Sequence, residues 1–118
     1  MSGQQISNIS AVFKSYEEYN LSLEEFVVNL HSENGLTRNY LKIKIALMYT
    51  DKKSEEFISS NVSKIRDIIL NDLMKKSAKD FSDVENISTI KKEIMESINA
   101  ALKEDIIKDV YFTDLAIQ

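Results

Sequence analysis

Cysteine and proline are absent from the 118 residues, glycine occurs twice and histidine once. Without cysteine there are no disulfides, no thiolate metal sites and no cysteine nucleophile, although the compartment stays open. Without proline and with so little glycine, collagen-like, proline-rich and glycine-linker chains are excluded, as is a sandwich built on many tight turns; long helices are favoured. Basic charge is not in excess either: the net charge is -4. Residues 1–22 carry -1, 23–50 carry 0, 51–80 carry +1 and 81–118 carry -4. No segment offers the basic face a nucleic-acid binder needs, so no nucleic-acid partner is expected. No apolar run approaches the roughly 18–20 residues of a membrane span. Met1-Ser2-Gly3-Gln4-Gln5 has neither the basic nor the apolar part of a signal peptide, and reads as a cloning scar ahead of a domain cut from a longer protein.

What is present suits one globular domain. Hydrophobic residues make up 43% and charged residues 29%, which is ordinary for a packed core. Residues 1–22 read as a linker that docks late, with Val12, Phe13, Tyr16, Tyr19 and Leu21 as its apolar punctuation; the domain proper then runs from 23 to 118. Glu24 to His31 reads as a first strand, with Phe26, Val28 and Leu30 on one face. Asn34-Gly35 marks a turn, since both residues tolerate positive φ. Tyr40 to Tyr49 is the clearest strand: Leu41, Ile43, Ile45, Leu47 and Tyr49 alternate with Tyr40, Lys42, Lys44, Ala46 and Met48. The two strands predict an antiparallel hairpin.

Asp51 or Ser54 can cap the helix that follows, whose stripe is Phe57, Ile58, Val62, Ile65, Ile68, Ile69 and Leu73. Ser77 to Phe81 reads as one further turn and residues 82–86 as a connector. Ser88 suits the N-cap of a helix carrying Ile87, Ile90, Ile94, Ile98 and Leu102. Asp105 to Gln118 returns to strand, with Tyr111, Thr113, Leu115 and Ile117 expected on one face and Val110, Phe112, Asp114 and Ala116 on the other. The expected fold is α+β: a small three-stranded sheet, hairpin plus C-terminal strand, with helices on one face in ββααβ order.

Catalytic and metal-binding chemistry finds little to work with. A Ser-His-Asp arrangement would have to use His31, placed near the turn on the polar side of its strand. Zinc needs several ligands, and Asp80, Asp83 and Glu85 lack the glycine and spacing of a calcium loop; capping of a helix start is their plainer role. The pairs Glu17-Glu18, Glu24-Glu25 and Glu55-Glu56 are adjacent in sequence, so their side chains diverge. No catalytic, cofactor or metal site is assigned, and no enzyme is expected. The open question is the outer sheet face. Tyr40, Lys42, Lys44 and Met48 share it, and Val27, Ala46, Val110 and Phe112 are expected to extend it as a protein contact; a plain solvent face is the alternative.

These segments together resemble a known family. Leu23-Glu24-Glu25-Phe26-Val27-Val28-Asn29-Leu30, Tyr40-Leu41-Lys42-Ile43-Lys44-Ile45-Ala46-Leu47, Ile65-Arg66-Asp67-Ile68-Ile69-Leu70, Lys76-Ser77-Ala78-Lys79-Asp80-Phe81, Lys92-Glu93-Ile94 with Ile98-Asn99, and Val110-Tyr111-Phe112-Thr113-Asp114 occur in order from about residue 16 to the end. In this series the chain resembles the extracytoplasmic domain of the flagellar basal-body-associated FliL proteins.

The resemblance implies a stomatin-type (SPFH-like) domain. It would be tethered by an N-terminal membrane helix on the extracytoplasmic side, self-associated as a ring, and partnered with flagellar stator proteins of the MotA/MotB type. It implies no reaction and no cofactor. The connector Asp83-Val84-Glu85-Asn86 lacks the Pro and Gly frequent in relatives, which implies a helical or reshaped turn there. Under this reading Phe13, Tyr16, Tyr19, Tyr40, Lys42, Lys44, Met48 and Phe112 are the candidate interaction residues. A generic SPFH-like membrane scaffold and a small ligand-binding domain remain the alternatives.

Overall fold

The structure is a computed structural model and describes residues 17–118. Four strands, β1 (Tyr19–Ser22), β2 (Phe26–Asn29), β3 (Tyr40–Tyr49) and β4 (Asp109–Ile117), form one antiparallel sheet. Three helices, α1 (Glu55–Ser60), α2 (Val62–Met74) and α3 (Val84–Leu102), lie between β3 and β4 in the chain, with 3-10 turns at Lys52–Ser54 and Ala78–Phe81.

β3 is the central strand. β4 pairs with it from Leu41↔Ile117 to Met48↔Asp109. Its other edge is shared: β1 covers Ala46–Tyr49 and β2 covers Tyr40–Ile43. β1 and β2 are therefore one edge strand interrupted at residues 23–25. Ser22 pairs with Ala46 and Phe26 with Ile43, so four steps on the edge strand answer three on β3. That extra residue is a β-bulge, and a bulge reverses which side chains face inward. Tyr19, Leu21 and Leu23 point toward the helices before it, and Phe26, Val28 and Leu30 after it.

The architecture is α+β with an antiparallel sheet, as the sequence suggests, but the ββααβ order needs correcting. The first strand begins at Tyr19, inside the stretch read as linker, and is split by the bulge. The single long helix is divided at Asn61, whose φ of -110° leaves the helical region. Its side-chain Nδ2 donates to the Phe57 carbonyl (2.8 Å), an acceptor that a continuous helix would give to the Asn61 N–H. Asp83, not Ser88, caps α3, its Oδ1 accepting from the Asn86 N–H at 2.9 Å. The connector is thus the first turn of the helix. β4 starts at Asp109 rather than at Asp105.

The core lies between β3 and the helices. Leu41, Ile43, Ile45 and Leu47 meet Ile58, Ile65, Ile69 and Leu73 from α1 and α2, with Ile94, Ile98 and Ile107, all at or below 1% exposure. Residues recurring every three to four positions on α2 and α3 face alternate residues of β3, which is why both periods show in the sequence.

A candidate interaction surface on the outer sheet face

Three elements supply the outer face. Register places Asn20, Ser22, Val27 and Asn29 on the edge strand; Tyr40, Lys42, Lys44, Ala46 and Met48 on β3; and Tyr111, Asp114 and Ala116 on β4. The strands that bury five β3 side chains against the helices leave their alternate residues here. Val27 is 57% and Tyr40 44% exposed. Lys42 lies between Val27 and Ala116, both small or apolar, so no opposite charge faces it across the strands. Lys44 pairs with Asp114. Ala46 is buried even though it faces outward, with Tyr111 opposite it and Met48 half-buried two residues on. The Tyr111 hydroxyl donates to Glu18 Oε2 at 3.4 Å. Partial burial, and then the Glu18 carboxylate, push its phenol above the ordinary value.

Four of the expected interaction residues, Tyr40, Lys42, Lys44 and Met48, are brought together on this face. Phe112 and Val110 are not. The sequence pattern predicts an unbroken alternation along β4, but register jumps from Lys44↔Asp114 to Ile45↔Phe112, leaving Thr113 as an unpaired bulge residue. The bulge puts Val110, Phe112, Leu115 and Ile117 all on the helix side. Val110 is in the core, and Phe112 lies beneath Lys91 of α3, whose Nζ is 5.3 Å from the ring centroid. Tyr19 also faces the helices and stacks on Tyr49 with centroids 5.6 Å apart. Its phenol is raised first by its hydrogen bond to Glu17 and then by burial. Phe13 and Tyr16 lie outside the described residues.

The other polar candidates have structural work. Asp83 caps α3. Asp80 Oδ2 accepts from the Ser77 N–H at 2.8 Å. The buried Ser77 hydroxyl, which has one proton to donate, lies within hydrogen-bond distance of both Asp80 Oδ2 (3.3 Å) and Glu33 Oε1 (3.2 Å). His31 lines a crevice of about 160 Å³ with Glu33, Thr37, Asn39, Ser77 and Lys79. It is fixed there by its backbone N–H, which donates to the Lys76 carbonyl at 2.8 Å. Among the described residues no group of three or more His, Asp or Glu is placed to hold a metal ion.

Two organising residues, Arg66 and Asn99, sit in the motifs that carry the resemblance, but nothing in the sequence marks their structural roles. Arg66 of α2 donates to the carbonyls of Glu24 (2.6 Å) and Glu25 (3.3 Å), and its guanidinium lies 4.0 Å over the Phe26 ring. It therefore clamps the bulge that divides β1 from β2. Asn99 of α3 pins the chain entering β4: its Oδ1 accepts from the N–H groups of Ile106 (3.2 Å) and Ile107 (2.9 Å), and its Nδ2 donates to the Ile107 carbonyl (2.8 Å). An arginine on a helix and an asparagine near a helix end are too common for sequence alone to reveal such roles.

Comparison with known proteins gives this arrangement a context. Residues 20–118 match the family model described as flagellar basal body-associated protein FliL. The chain belongs to the FliL family. The flagellar protein FliL of Bacillus subtilis (strain 168) is 27% identical over 115 residues, which are 95% of this chain and 79% of the relative. That of Aquifex aeolicus (strain VF5) is 28% identical over 93 residues, 79% of this chain and 56% of the relative. The chain thus spans little more than half the length of the Aquifex FliL. The family match begins within β1, so the bulged edge strand and its Arg66 clamp both fall inside the FliL domain. FliL is a flagellar accessory family, and no helix among the described residues of this member is long and apolar enough to cross a membrane.

Proposed function

We propose that this FliL domain is a non-catalytic interaction module of the flagellar motor. It stands on the extracytoplasmic side of the cell membrane, tethered by a membrane helix belonging to the parent protein. There it self-associates, as a ring, and holds MotA/MotB-type stator units in place, promoting motility and swarming. An SPFH-like scaffold is the matching fold reading. The observation that carries the reading is the outer face: the helices pack on the opposite side of the sheet, leaving Val27, Tyr40, Lys42, Lys44 and Met48 together, apolar and cationic, with Lys42 facing no acidic side chain across the strands. A mixed face of this kind suits a protein contact. Tethering beside neighbours supplies effective concentration, so the isolated domain need associate only weakly.

The test is a strain carrying Lys42→Glu and Lys44→Glu in the full-length protein. Both side chains are outside the core; the Lys44 change sets a carboxylate opposite Asp114 at a cost of about 0.2–1 kcal/mol, which leaves the domain folded, and immunoblotting confirms its level. Swarming and stator recruitment are expected to fall. Wild-type swarming with normal recruitment would rule out this face as the contact.

A further inference from the structure

The two edges of the sheet are finished differently. On the β1/β2 edge the strands are four residues each, separated by a bulge, and Arg66 occupies the bulge carbonyls. Short strands and bulges are the ordinary means of closing an edge to further pairing. β4 is nine residues long and, among the described residues, pairs only with β3.

The register shows which backbone groups of β4 are open. Tyr40 and Gln118 exchange both N–H···O bonds, each at 2.9 Å. Antiparallel pairs alternate, so Ala116 and Asp114 also bond toward β3 while Ile117 and Leu115 direct their N–H and C=O groups away from it. Phe112 continues the series: its partner Ile45 has its carbonyl engaged on the other edge by the Leu23 N–H. Toward the start of the strand the edge is closed, because Asp109 Oδ1 accepts from the Val110 N–H at 2.8 Å. The open stretch is therefore Phe112 to Ile117. Its helix-side row is Phe112, Leu115 and Ile117, all half-buried against the core.

We infer that this stretch of β4 receives an extended segment of a partner protein, added to the sheet as a further strand. The backbone supplies the affinity, and the partner presents apolar residues at alternate positions to lie beside Phe112, Leu115 and Ile117. A flexible segment is favoured over a second copy of the same edge. The Thr113 bulge bends β4, and two bent strands related by a two-fold axis would separate after a few residues, whereas a flexible segment follows the bend. The inference stands on the sheet geometry and does not depend on the flagellar reading.

The probe is an acetylated seven-residue peptide alternating valine and threonine, titrated to millimolar concentration against the full chain by amide NMR with hydrogen exchange. In the free protein the Leu115 and Ile117 amides exchange fast and those of Asp114 and Ala116 slowly. On titration, shifts concentrate on β4, and the Leu115 and Ile117 amides become protected. The same peptide N-methylated at alternate residues binds at least tenfold more weakly. So does an Ile117→Pro variant, whose missing N–H costs no bond to β3. Shifts centred on Tyr40, Lys42 and Lys44, or N-methylated peptide binding equally well, would overturn the inference. Self-association of the chain that is lost in Ile117→Pro would also overturn it, in favour of a second copy.

Discussion

Replacing Arg66 by methionine keeps an unbranched apolar side chain of similar reach and removes the guanidinium that lies over Phe26. Two charge-assisted hydrogen bonds disappear, one short to Glu24 and one long to Glu25, together with the cation–π contact at 4.0 Å. A hydrogen bond from a charged donor contributes about 1.5–3 kcal/mol and a half-exposed cation–π contact about 0.5–1 kcal/mol. The bonds lie near the surface and water can replace part of them, so the expected loss is about 2 kcal/mol in total. Urea unfolding of a domain this size resolves that easily, and the melting temperature should fall by roughly 8–10 °C. Lysine at the same position retains the charge but not the fork, and should lose about half as much. The loss should also be local: hydrogen exchange at Leu21 should accelerate more than that at Ile43, in the centre of β3, which speeds up only by the loss of global stability. A variant within about 0.3 kcal/mol of wild type, or equal acceleration at Leu21 and Ile43, would refute the claim that Arg66 holds the bulge and the strand before it.

Asn99→Ala should cost about 1–3 kcal/mol, because the N–H groups of Ile106 and Ile107 lose their acceptor at a half-buried site; chemical denaturation measures it. Lys103→Gly should stabilise by up to about 1 kcal/mol, since Lys103 holds φ 59° where α3 ends and glycine adopts that conformation freely. Burial, followed by the charge of Glu55, raises the Tyr49 phenol above its ordinary value of 10. The folded protein thus binds that proton more tightly than the unfolded chain. Stability is unaffected by it below pH 10 and falls as pH rises beyond, and Tyr49→Phe should make that alkaline fall shallower in unfolding measured at a series of pH values.

The legible parts of this fold are those where one period runs uninterrupted. β3 alternates for ten residues without a break, and both its ends and its faces follow from the sequence. α3 repeats Ile90, Ile94, Ile98 and Leu102, and its buried side follows likewise. The misreadings fall where a period breaks. Thr113 is one residue among β-formers, and nothing in its chemistry announces a bulge, yet it carries Phe112 from the expected contact face to the helix side. The extra residue at 23–25 hides β1 in the same way, because Leu21 and Leu23 fall out of phase with Phe26 and Val28. Both bulges lie level with Lys44 of β3, one on either edge. A property shared between three strands is not available to a reading made one segment at a time. Of the candidate face, the four β3 residues are legible because β3 is, and so are Asp114 and Ala116 of β4; Val110 and Phe112, on the other side of the Thr113 bulge, are not.

In vivo photo-crosslinking from single positions of the full-length protein addresses the central claim most directly. A crosslinking residue at Lys42 or at Tyr40 should capture a motor protein or a neighbouring copy. The same residue at Asp67, an exposed position of α2 on the far side of the sheet, should capture much less. Capture from Asp67 with none from Lys42 or Tyr40 would contradict the assignment of the outer sheet face as the interaction surface.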